Sequence, residues 1–426
     1  MRITNSTVLR NYDRNLKRLG KNKYASEQKV FTGRDFSRAS DNPLSAAKAL
    51  TVRKQLSRTK QYKENLEVAD KFYTEAETSM LQISDELATI RETIIYACNT
   101  TKDEGVDLQI LSQQLDTYAR EMVSILNTNS AERAIFGGES NAEQPFSLLY
   151  GDDGYATEVL YHGVPINAYD NFEDFPYSNE VYVDIGLGMV IDQETQEIDP
   201  QTGLRVSFNG AELTGCGSEM SAASIDLASL QNDLEYSIDV FYNGEKQTVK
   251  FTGGASEAES QANFQAALDK AFYRSPVIPT VDADGNITVD DGKKVYVMST
   301  QGAKNKATVD NEYTYSFNYI QITLDAAKAL KTGNVGYANG CIDQIVEASE
   351  NLLVEIANLG NMEEFIGFNS ERYDTRELNL KERQDSLEAS DLESEITLYK
   401  TYEALYNACL QMSSAIIPNT IFNYIR

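Results

Sequence analysis

Eleven residues between Tyr62 and Ala97 follow one another at alternating steps of four and three, and all of them are apolar or aromatic. Such alternation places the side chains on one stripe of an α-helix, as at the a and d positions of a coiled coil. A helix beginning at Pro43 would run about 55 residues, or roughly 80 Å at 1.5 Å per residue. Because this stripe needs a partner helix, we predict an intramolecular seam containing Tyr62, Leu66, Tyr73, Met80, Ile83, Leu87, Ile90 and Ile94.

The partner helix is predicted in the second half of the chain. The same spacing recurs there at Ile342, Ile345, Ser349, Leu352, Ile356 and Leu359. Between the two helical stretches, residues 137–318 hold 17 of the 25 Gly and six of the 8 Pro, which indicates turns and strands. The predicted fold class is therefore α+β, with a long antiparallel helical bundle or coiled-coil rod made by both arms. The predicted domains are an N-terminal arm (1–140), a β-rich insert facing outward (141–318) and a C-terminal arm (319–426).

The insert contains clear strand signals. Ile238, Val240 and Tyr242 alternate with polar residues, and Asn243-Gly244 predicts a hairpin turn before the next strand. We predict a helix from about Glu257 to Phe272, and strands near residues 179–188, 203–213, 285–289 and 294–299.

The last helix, predicted from about Asp391 to Ile417, carries two apolar stripes. One stripe contains Leu398, Tyr402, Leu405, Cys409, Met412 and Ile416, and the other contains Leu392, Ile396, Tyr399, Tyr406, Leu410 and Ile417. A surface helix of a monomer needs only one buried face, so the helix is either wedged inside its own bundle or covered by another subunit. We predict an assembly interface formed by the first stripe together with a short N-terminal seam of Leu9, Tyr12, Leu16 and Leu19.

Composition excludes several classes of function. The net charge is −27, which disfavours binding to nucleic acid, although residues 1–63 carry sixteen Lys and Arg against four Asp and Glu. A solvated helix face is the simplest interpretation of that basic stretch. No segment has the eighteen or more apolar residues expected of a membrane span, so we expect no membrane insertion. One His and four Cys without a CxxC pair argue against zinc and Cys/His catalysis, and leave the redox state of the cysteines open.

Three stretches suggest chemistry by their letters alone. Ser45-Ala-Ala-Lys48, Ser40-Asp41-Asn42 and Lys331-Thr332-Gly333 match the motifs of penicillin-binding enzymes, but in the wrong order and spacing. The acidic stretch 282–292 has Ile287 where a calcium loop of the EF-hand type needs Gly, so we predict a hairpin turn there. His162 has no recognisable catalytic partners and is interpreted as a turn residue. We therefore expect no enzymatic activity, no metal and no cofactor.

The stretch FTGRDFSRASDNPLSAAKAL, residues 31–50, interrupts the helical first arm with about ten polar residues. Gly33 suits a reversal of the chain, and Asp41 or Asn42 can cap the following helix. Pro43 suits the first turn of that helix, where its missing N–H has no partner to lose. These residues predict a loop that joins two helices.

This loop resembles the conserved arm of the flagellin-like axial proteins of bacterial flagella. Further segments are similar to that family: MRIT at the start, ERAIFGGESNAEQPF from Glu132, NLKERQDSLEASDLESEITLYKTYEAL from Asn379, and the C-terminal SSAIIPNTIFNYIR. Filament flagellins usually read Ala-Asp-Asp-Ala-Ala-Gly-Leu where this chain has Ser-Asp-Asn-Pro-Leu-Ser-Ala-Ala from Ser40. With the IFGG and PF pairs near residue 140, the chain is more similar to the class that joins hook to filament, hook-associated protein 3.

The resemblance implies a structural subunit that is exported as an unfolded chain, without a cleaved signal peptide, to the extracellular flagellum. Its partners would be neighbouring copies of itself, another hook-associated protein on the hook side, flagellin on the filament side, an export chaperone and the flagellar export apparatus. The terminal helices would stay unpaired before assembly, since the N-terminal seam is too short to be stable alone. Filament flagellin, a secreted coiled-coil adhesin and a needle-complex translocator are the competing interpretations.

Overall fold

The computed structural model describes residues 5–99, 106–130, 133–140, 142–151, 153–192, 198–199, 201–242, 245–273, 277–289 and 294–416. Within these residues there are eight α-helices: α1 (Asn5–Thr32), α2 (Pro43–Asn99), α3 (Val106–Leu126), α4 (Gly210–Thr214), α5 (Glu257–Ala271), α6 (Tyr319–Lys331), α7 (Val335–Glu388) and α8 (Leu392–Ile416). The long helix predicted from Pro43 is confirmed, and the last helix lies within one residue of its predicted bounds.

The described strands are short and all of their pairings are antiparallel. They are β1 (Asn129–Ser130), β2 (Arg133–Ala134), β3 (Phe146–Tyr150), β4 (Ala156–Tyr161), β5 (Val164–Pro165), β6 (Tyr182–Val183), β7 (Leu204–Arg205), β8 (Ser218–Ile225), β9 (Glu235–Tyr242), β10 (Glu245–Thr252), β11 (Thr280–Val281), β12 (Asn286–Thr288), β13 (Val295–Ser299) and β14 (Val309–Ser316). The sheets have the orders β1-β2, β3-β4-β5, β6-β7, β10-β9-β13 and β11-β12-β8-β14. The predicted α+β class, with helical arms and a β-rich insert, is confirmed.

The chain divides into two compact units. The first unit consists of Met1–Glu64 with Asn369–Arg426, and the second consists of Asn65–Phe368. The boundaries predicted at residues 140 and 318 mark changes of secondary structure, since α6 begins at Tyr319, but they are not the borders of these units. The division into an arm, an insert and an arm stays a prediction about assembly.

In the first unit, α1 packs on α8, and the beginning of α2 lies beside the end of α7. Arg53 contacts Glu388 and Lys63 contacts Asp374, at N–O distances of 2.5 and 2.6 Å, so α2 and α7 run antiparallel here. Ala49 and Val52 are buried between these helices and their neighbours.

In the second unit, α2 carries its apolar stripe into a closed core. Met80, Ile83, Leu87, Ile90 and Ile94 are at most 1% exposed. The partner stripe of α7 is also buried, and it includes Ile345, Leu352, Ile356 and Leu359. A Cβ atom added at Gly360 would lie 3.5 Å from the Glu77 carboxylate, which keeps the antiparallel order of the two helices.

Helix α6 is the most enclosed element of the second unit. All of its residues from Tyr319 to Leu330 are buried except Asp325, which is partly buried, and Lys328, which is exposed. Asn318 caps the helix by accepting hydrogen bonds from the N–H groups of Ile320 and Gln321. Helix α3 lies against it, since the Ser112 hydroxyl donates to the Ala327 carbonyl at 2.7 Å.

The predicted hairpin of the insert is present as β9 and β10. Tyr242 pairs with Glu245, and the alternating residues Ile238, Val240, Val249 and Phe251 are buried. The turn residues Asn243-Gly244 lie outside the described residues. Helix α5, close to its predicted bounds, covers this sheet with Phe264 and Leu268, both 0% exposed. The strands predicted near residues 285–289 and 294–299 are β12 and β13.

The two strands predicted upstream are much shorter than their apolar runs suggest. Only Tyr182–Val183 and Leu204–Arg205 pair, as β6 and β7. Asn209 ends the second run because its side chain accepts from Ala211 N at 3.0 Å and begins the short helix α4. Asn therefore acts as a helix cap where the sequence pattern alone suggested a longer strand.

Candidate assembly interface

The polar loop between α1 and α2 is closed by the residues predicted for it. Gly33 ends α1 with a φ of +66°, and its N–H donates to Lys29 O at 2.9 Å. The Asn42 side-chain oxygen accepts from Ser45 N at 3.2 Å and caps α2, whose first residue is Pro43. Asp41 instead accepts from Arg38 N within the loop. Each residue satisfies backbone groups that a helix end leaves unpaired.

This loop is also held by the turn between α7 and α8. Asp35 N donates to Glu388 O at 2.8 Å, and Ser390 N donates to Gly33 O at 2.9 Å. The guanidinium of Arg53 donates to the carboxylate of Glu388 at 2.5 Å and lowers its pKa. The two connections of the first unit are therefore one hydrogen-bonded structure.

Gly33→Ala tests the left-handed turn. A Cβ atom at Gly33 would meet nothing within 4 Å, so the cost comes only from the positive φ, about 1 kcal/mol of unfolding free energy. Gly367→Ala is the matched control, because Gly367 lies inside α7 with open space around its Cβ position and no positive φ. Denaturant unfolding should show a loss for Gly33→Ala and no loss for the control. Equal effects would contradict the role assigned to Gly33.

Helices α1 and α8 meet along a polar and aromatic seam. The Tyr12 hydroxyl donates to Cys409 O at 2.9 Å, and Ser26, which is 4% exposed, donates to Glu395. A Cβ atom at Gly20 would lie only 3.5 Å from the Tyr406 ring, so glycine permits a close approach there. The Lys29 ammonium lies 3.1 Å from Glu395 and closes the seam at the loop end.

Both flanks of this seam on α8 leave apolar side chains exposed. One flank carries Leu398, Leu405 and Met412, which are 40%, 47% and 53% exposed, and the other carries Leu392 and Ile396, at 46% and 40%. The inner face between them is formed by Tyr399, Tyr402, Tyr406 and Cys409, which are all partly buried. A helix with two exposed apolar flanks has area left to bury against another molecule.

The residues predicted for the assembly interface therefore separate into two groups. Tyr12, Leu16, Leu19, Tyr402 and Cys409 are partly buried in or beside the α1–α8 seam. Leu398, Leu405 and Met412 are exposed on one flank. The side chains of Leu9 and Ile416 lie outside the described residues. The exposed flank on the second side of α8 was assigned to the other stripe and not to the predicted interface.

The predicted intramolecular seam lies where the two long helices meet. Leu66, Tyr73, Met80, Ile83, Leu87, Ile90 and Ile94 are at most 2% exposed. Tyr62, in the first unit, is partly buried and its ring lies 5.8 Å from that of Tyr373. Tyr73 also donates a hydrogen bond to Arg205 O at 2.8 Å, so the stripe holds the insert as well as a helix.

A cluster of acid and tyrosine side chains joins α6 to the strands of the insert. The Tyr296 hydroxyl donates to Glu158 Oε1 at 2.6 Å, and the Tyr313 hydroxyl donates to Asp325 at 2.8 Å. Gln321 also donates to Asp325 at 3.1 Å and accepts from Val159 N at the same distance. Among the described residues, the buried Oε2 atom of Glu158 has no hydrogen-bond partner.

Burial shifts both carboxyl groups towards their neutral forms. It raises the pKa of Glu158 to about 7, against a hydrogen bond from Tyr296 that lowers it. Asp325 and Asp310 raise the same pKa further, whereas Lys328 lowers it. Burial likewise raises the pKa of Asp325 to about 6. A raised carboxyl pKa means that the folded protein binds the proton more tightly than the unfolded chain does.

Glu158→Gln tests this linkage. In the native protein, stability should be highest at low pH and fall as pH rises from about 4.5 to about 7, by at most about 3 kcal/mol for Glu158. The variant removes this titration, so its unfolding free energy should fall less over the same window. The measurement is denaturant unfolding at several pH values, with exposed Glu257→Gln as the control. An unchanged slope in Glu158→Gln would contradict the assignment.

Other reactive groups have structural surroundings. His162 lies in the turn after β4 with φ +49°, and its Nε2 lies 3.2 Å from Gly137 O. Burial lowers the pKa of His162 and raises the pKa of the thiols of Cys98, Cys216 and Cys341. All four cysteines are free. Asp282 holds a tight turn before β12 by accepting from Asn286 N at 2.8 Å.

The described residues contain no group of three or more His, Cys, Asp or Glu side chains placed to hold a metal ion. Among the helices that the structure describes, none is long and apolar enough to cross a membrane. The site that the geometry offers is therefore a surface for packing other helices.

The first arm matches a known protein family. Residues 3–138 match the model of the bacterial flagellin N-terminal helical region. The first arm of this chain is a flagellin-type N-terminal helical region, and the resemblance inferred from its motifs is confirmed over these residues.

Solved structures with similar folds include three described as flagellar hook proteins. FlgL of Xanthomonas campestris has 15% identity and a TM-score of 0.41, covering 78% of this chain and 98% of that one. Hook-associated protein-3 of Legionella pneumophila has 14% identity and a TM-score of 0.42, covering 79% and 98%. A hook-associated protein from Vibrio parahaemolyticus has 11% identity and a TM-score of 0.45, covering 82% and 100%. The comparison with curated proteins found no match.

Proposed function

We propose that this chain is a structural subunit of the bacterial flagellum that joins the hook to the filament. The observation that carries the proposal is a flagellin-type N-terminal region whose helix α1 packs on α8, while α8 leaves two apolar flanks exposed. A helix pair of this kind buries its flanks when copies of the chain pack around it. Each Leu or Met side chain removed from water contributes about 1.5 to 3 kcal/mol.

The junction role, as opposed to a filament role, is supported by the loop before α2. Ser40-Asp41-Asn42-Pro43 stands where filament flagellins usually read Ala-Asp-Asp-Ala. In this chain Asn42 provides the helix cap, and Pro43 occupies the first helical position. The IFGG segment at Ile135 is a further feature of the junction class.

The proposed partners follow from this role. Neighbouring copies would cover the α8 flanks, another hook-associated protein would lie on the hook side, and flagellin would lie on the filament side. We also propose export through the flagellar secretion apparatus as an unfolded chain with a chaperone, to the outside of the cell. In that role the chain has no catalytic task, and the acid and tyrosine cluster holds the insert to α6.

Immunogold electron microscopy of intact flagella tests the proposal, with antibody raised against residues 141–318. A narrow band of label between hook and filament is the expected result. Label along the whole filament would identify a filament flagellin and overturn the junction role. Absence of label from flagella would favour a secreted coiled-coil protein of another kind.

A further inference from the structure

The two compact units carry opposite net charge. The first unit, Met1–Glu64 with Asn369–Arg426, has 22 Lys and Arg against 15 Asp and Glu. The second unit, Asn65–Phe368, has 16 Lys and Arg against 50 Asp and Glu. A protein with charge divided in this way attracts a second copy when the positive unit of one meets the negative unit of the other.

The positive charge of the first unit is concentrated on the outer face of α1. Arg14, Arg18 and Lys21 are exposed and spaced by four and three residues, so they lie on one face. That face is opposite the side chains that meet α8, among them Leu16 and Ser26. We name Arg14, Arg18 and Lys21 the basic stripe. None of its members forms an ion pair within the described parts of the chain.

The second unit carries an acidic stripe with the same spacing on α7. Asp343, Glu347 and Glu350 are exposed, and they lie opposite the buried residues Cys341 and Ile345. Residues 335–368 of α7 contain six Asp and Glu and neither Lys nor Arg. Glu347 accepts a hydrogen bond from the Tyr315 hydroxyl at 2.6 Å, which fixes the direction of its carboxylate. No member of the stripe is in an ion pair where the structure describes the chain.

We propose that the basic stripe of one copy docks on the acidic stripe of a neighbouring copy. The occupant of the α7 face is thus a second copy of this chain, recognised by charge complementarity over two helical turns. Exposed Val354 continues the acidic stripe by four residues and exposed Ala25 continues the basic one, so each stripe ends in an apolar residue that the contact would cover. This inference rests on the proposed function, for which it names the surface between subunits.

A contact between two different surfaces of identical chains is heterologous. Each copy would give its basic stripe to one neighbour and accept the basic stripe of another on its acidic stripe. Such contacts extend into a ring or a helix and do not stop at a dimer. A chain with this contact grows in one direction only, which suits an axial assembly.

Charge reversal in the full-length protein tests the contact. The first variant is Arg14→Glu, Arg18→Glu and Lys21→Glu, and the second is Asp343→Lys, Glu347→Lys and Glu350→Lys. Sedimentation velocity at an ionic strength of about 0.02 M should show self-association of the native protein that weakens strongly at about 0.5 M salt. Each variant alone should associate at least about ten-fold more weakly than the native protein at low salt.

Mixing the two variants is the decisive step. Each variant offers the surface that the other one lacks, so the mixture should recover association to within about three-fold of the native level. Recovery also shows that both variants are folded. Association of either variant at the native level, a mixture that stays dissociated, or a native protein that does not associate at low salt would each overturn the proposal.

Matched controls reverse the same number of charges elsewhere. Lys48→Glu, Lys54→Glu and Arg58→Glu change exposed residues of α2 in the first unit. Glu75→Lys, Asp85→Lys and Glu92→Lys change exposed residues of α2 in the second unit. Both controls should associate at close to the native level. A loss as large as in the stripe variants would show that net charge, and not the stripes, drives association.

The same variants separate this inference from the proposed function. If both stripe variants still label as a band at the hook-filament junction and associate normally, the docking surface is wrong and the junction role stands. If the native protein is absent from the junction while the mixture recovers association, the junction role is wrong and the contact between copies stands.

Discussion

Replacing Leu405 and Met412 together with Asp is expected to abolish incorporation of the subunit into flagella and to leave the second unit folded. The two side chains are 47% and 53% exposed on one flank of α8, so the isolated chain loses little packing. In an assembly that covers this flank, the change removes about 1.5 to 3 kcal/mol for each side chain. It also forces two carboxylates into an apolar contact, which adds a larger desolvation cost.

The experiment compares sheared flagella by immunoblot for the native and the doubly substituted subunit, with circular dichroism of the purified proteins to verify folding. Thr397→Asp with Ala404→Asp is the control, because both residues are exposed on α8 away from the face that meets α1. The control subunit should be found in flagella at close to the native level. Normal incorporation of the Leu405 and Met412 variant would show that the flank is not an interface.

Leu87→Ala has the largest expected effect on the stability of the folded chain. Leu87 is 0% exposed in the seam of α2, and truncating a fully buried Leu leaves a cavity that costs about 2 to 5 kcal/mol of unfolding free energy. Leu81→Ala, two turns earlier on the same helix, changes a side chain that is 46% exposed. This control should change stability by less than about 0.5 kcal/mol.

Denaturant unfolding followed by far-UV circular dichroism measures both variants. The second unit contains this part of α2, so its transition is the one that should shift. Similar shifts for Leu87→Ala and Leu81→Ala would mean that the stripe is not packed as the structure has it. A shift for Leu87→Ala alone is the expected result.

The long seam was predictable because its signal is local. A strict alternation of three and four places Met80, Ile83 and Leu87 on one side of a helix whatever the rest of the chain does. The hairpin of β9 and β10 was predictable for the same reason, since alternation at Ile238 and Val240 needs no distant information.

Helix α6 shows what a local pattern cannot reveal. Its residues are buried on almost every side, so the sequence has no polar face from which a period could be read. The pairing of Glu158 with Tyr296 is equally hidden, because the two residues are 138 positions apart. Their meeting depends on the order of strands in the insert, which no short segment specifies.

The inner face of α8 is a third case. The sequence has two apolar stripes there, and the face that meets α1 lies between them. Tyr399 and Tyr406 take this position because each offers a ring beside the Lys23 ammonium, at 5.7 and 5.9 Å, and because Gly20 leaves room for the Tyr406 ring. Hydrophobicity alone would have placed Leu398 or Leu392 inside. The choice was made by shape and by cation–π contacts.

The contact of Ser112 on α3 with Ala327 on α6 joins the two helices that precede and follow the insert. The chain thus leaves the helical layer and returns to it at neighbouring points. A long segment whose ends are already held together adds little closure entropy when its length changes. Residues within the insert can therefore be gained, lost or exchanged during evolution without altering the spacing of the helices. The surface presented to antibodies or to bacteriophages can then change independently of the parts that assemble.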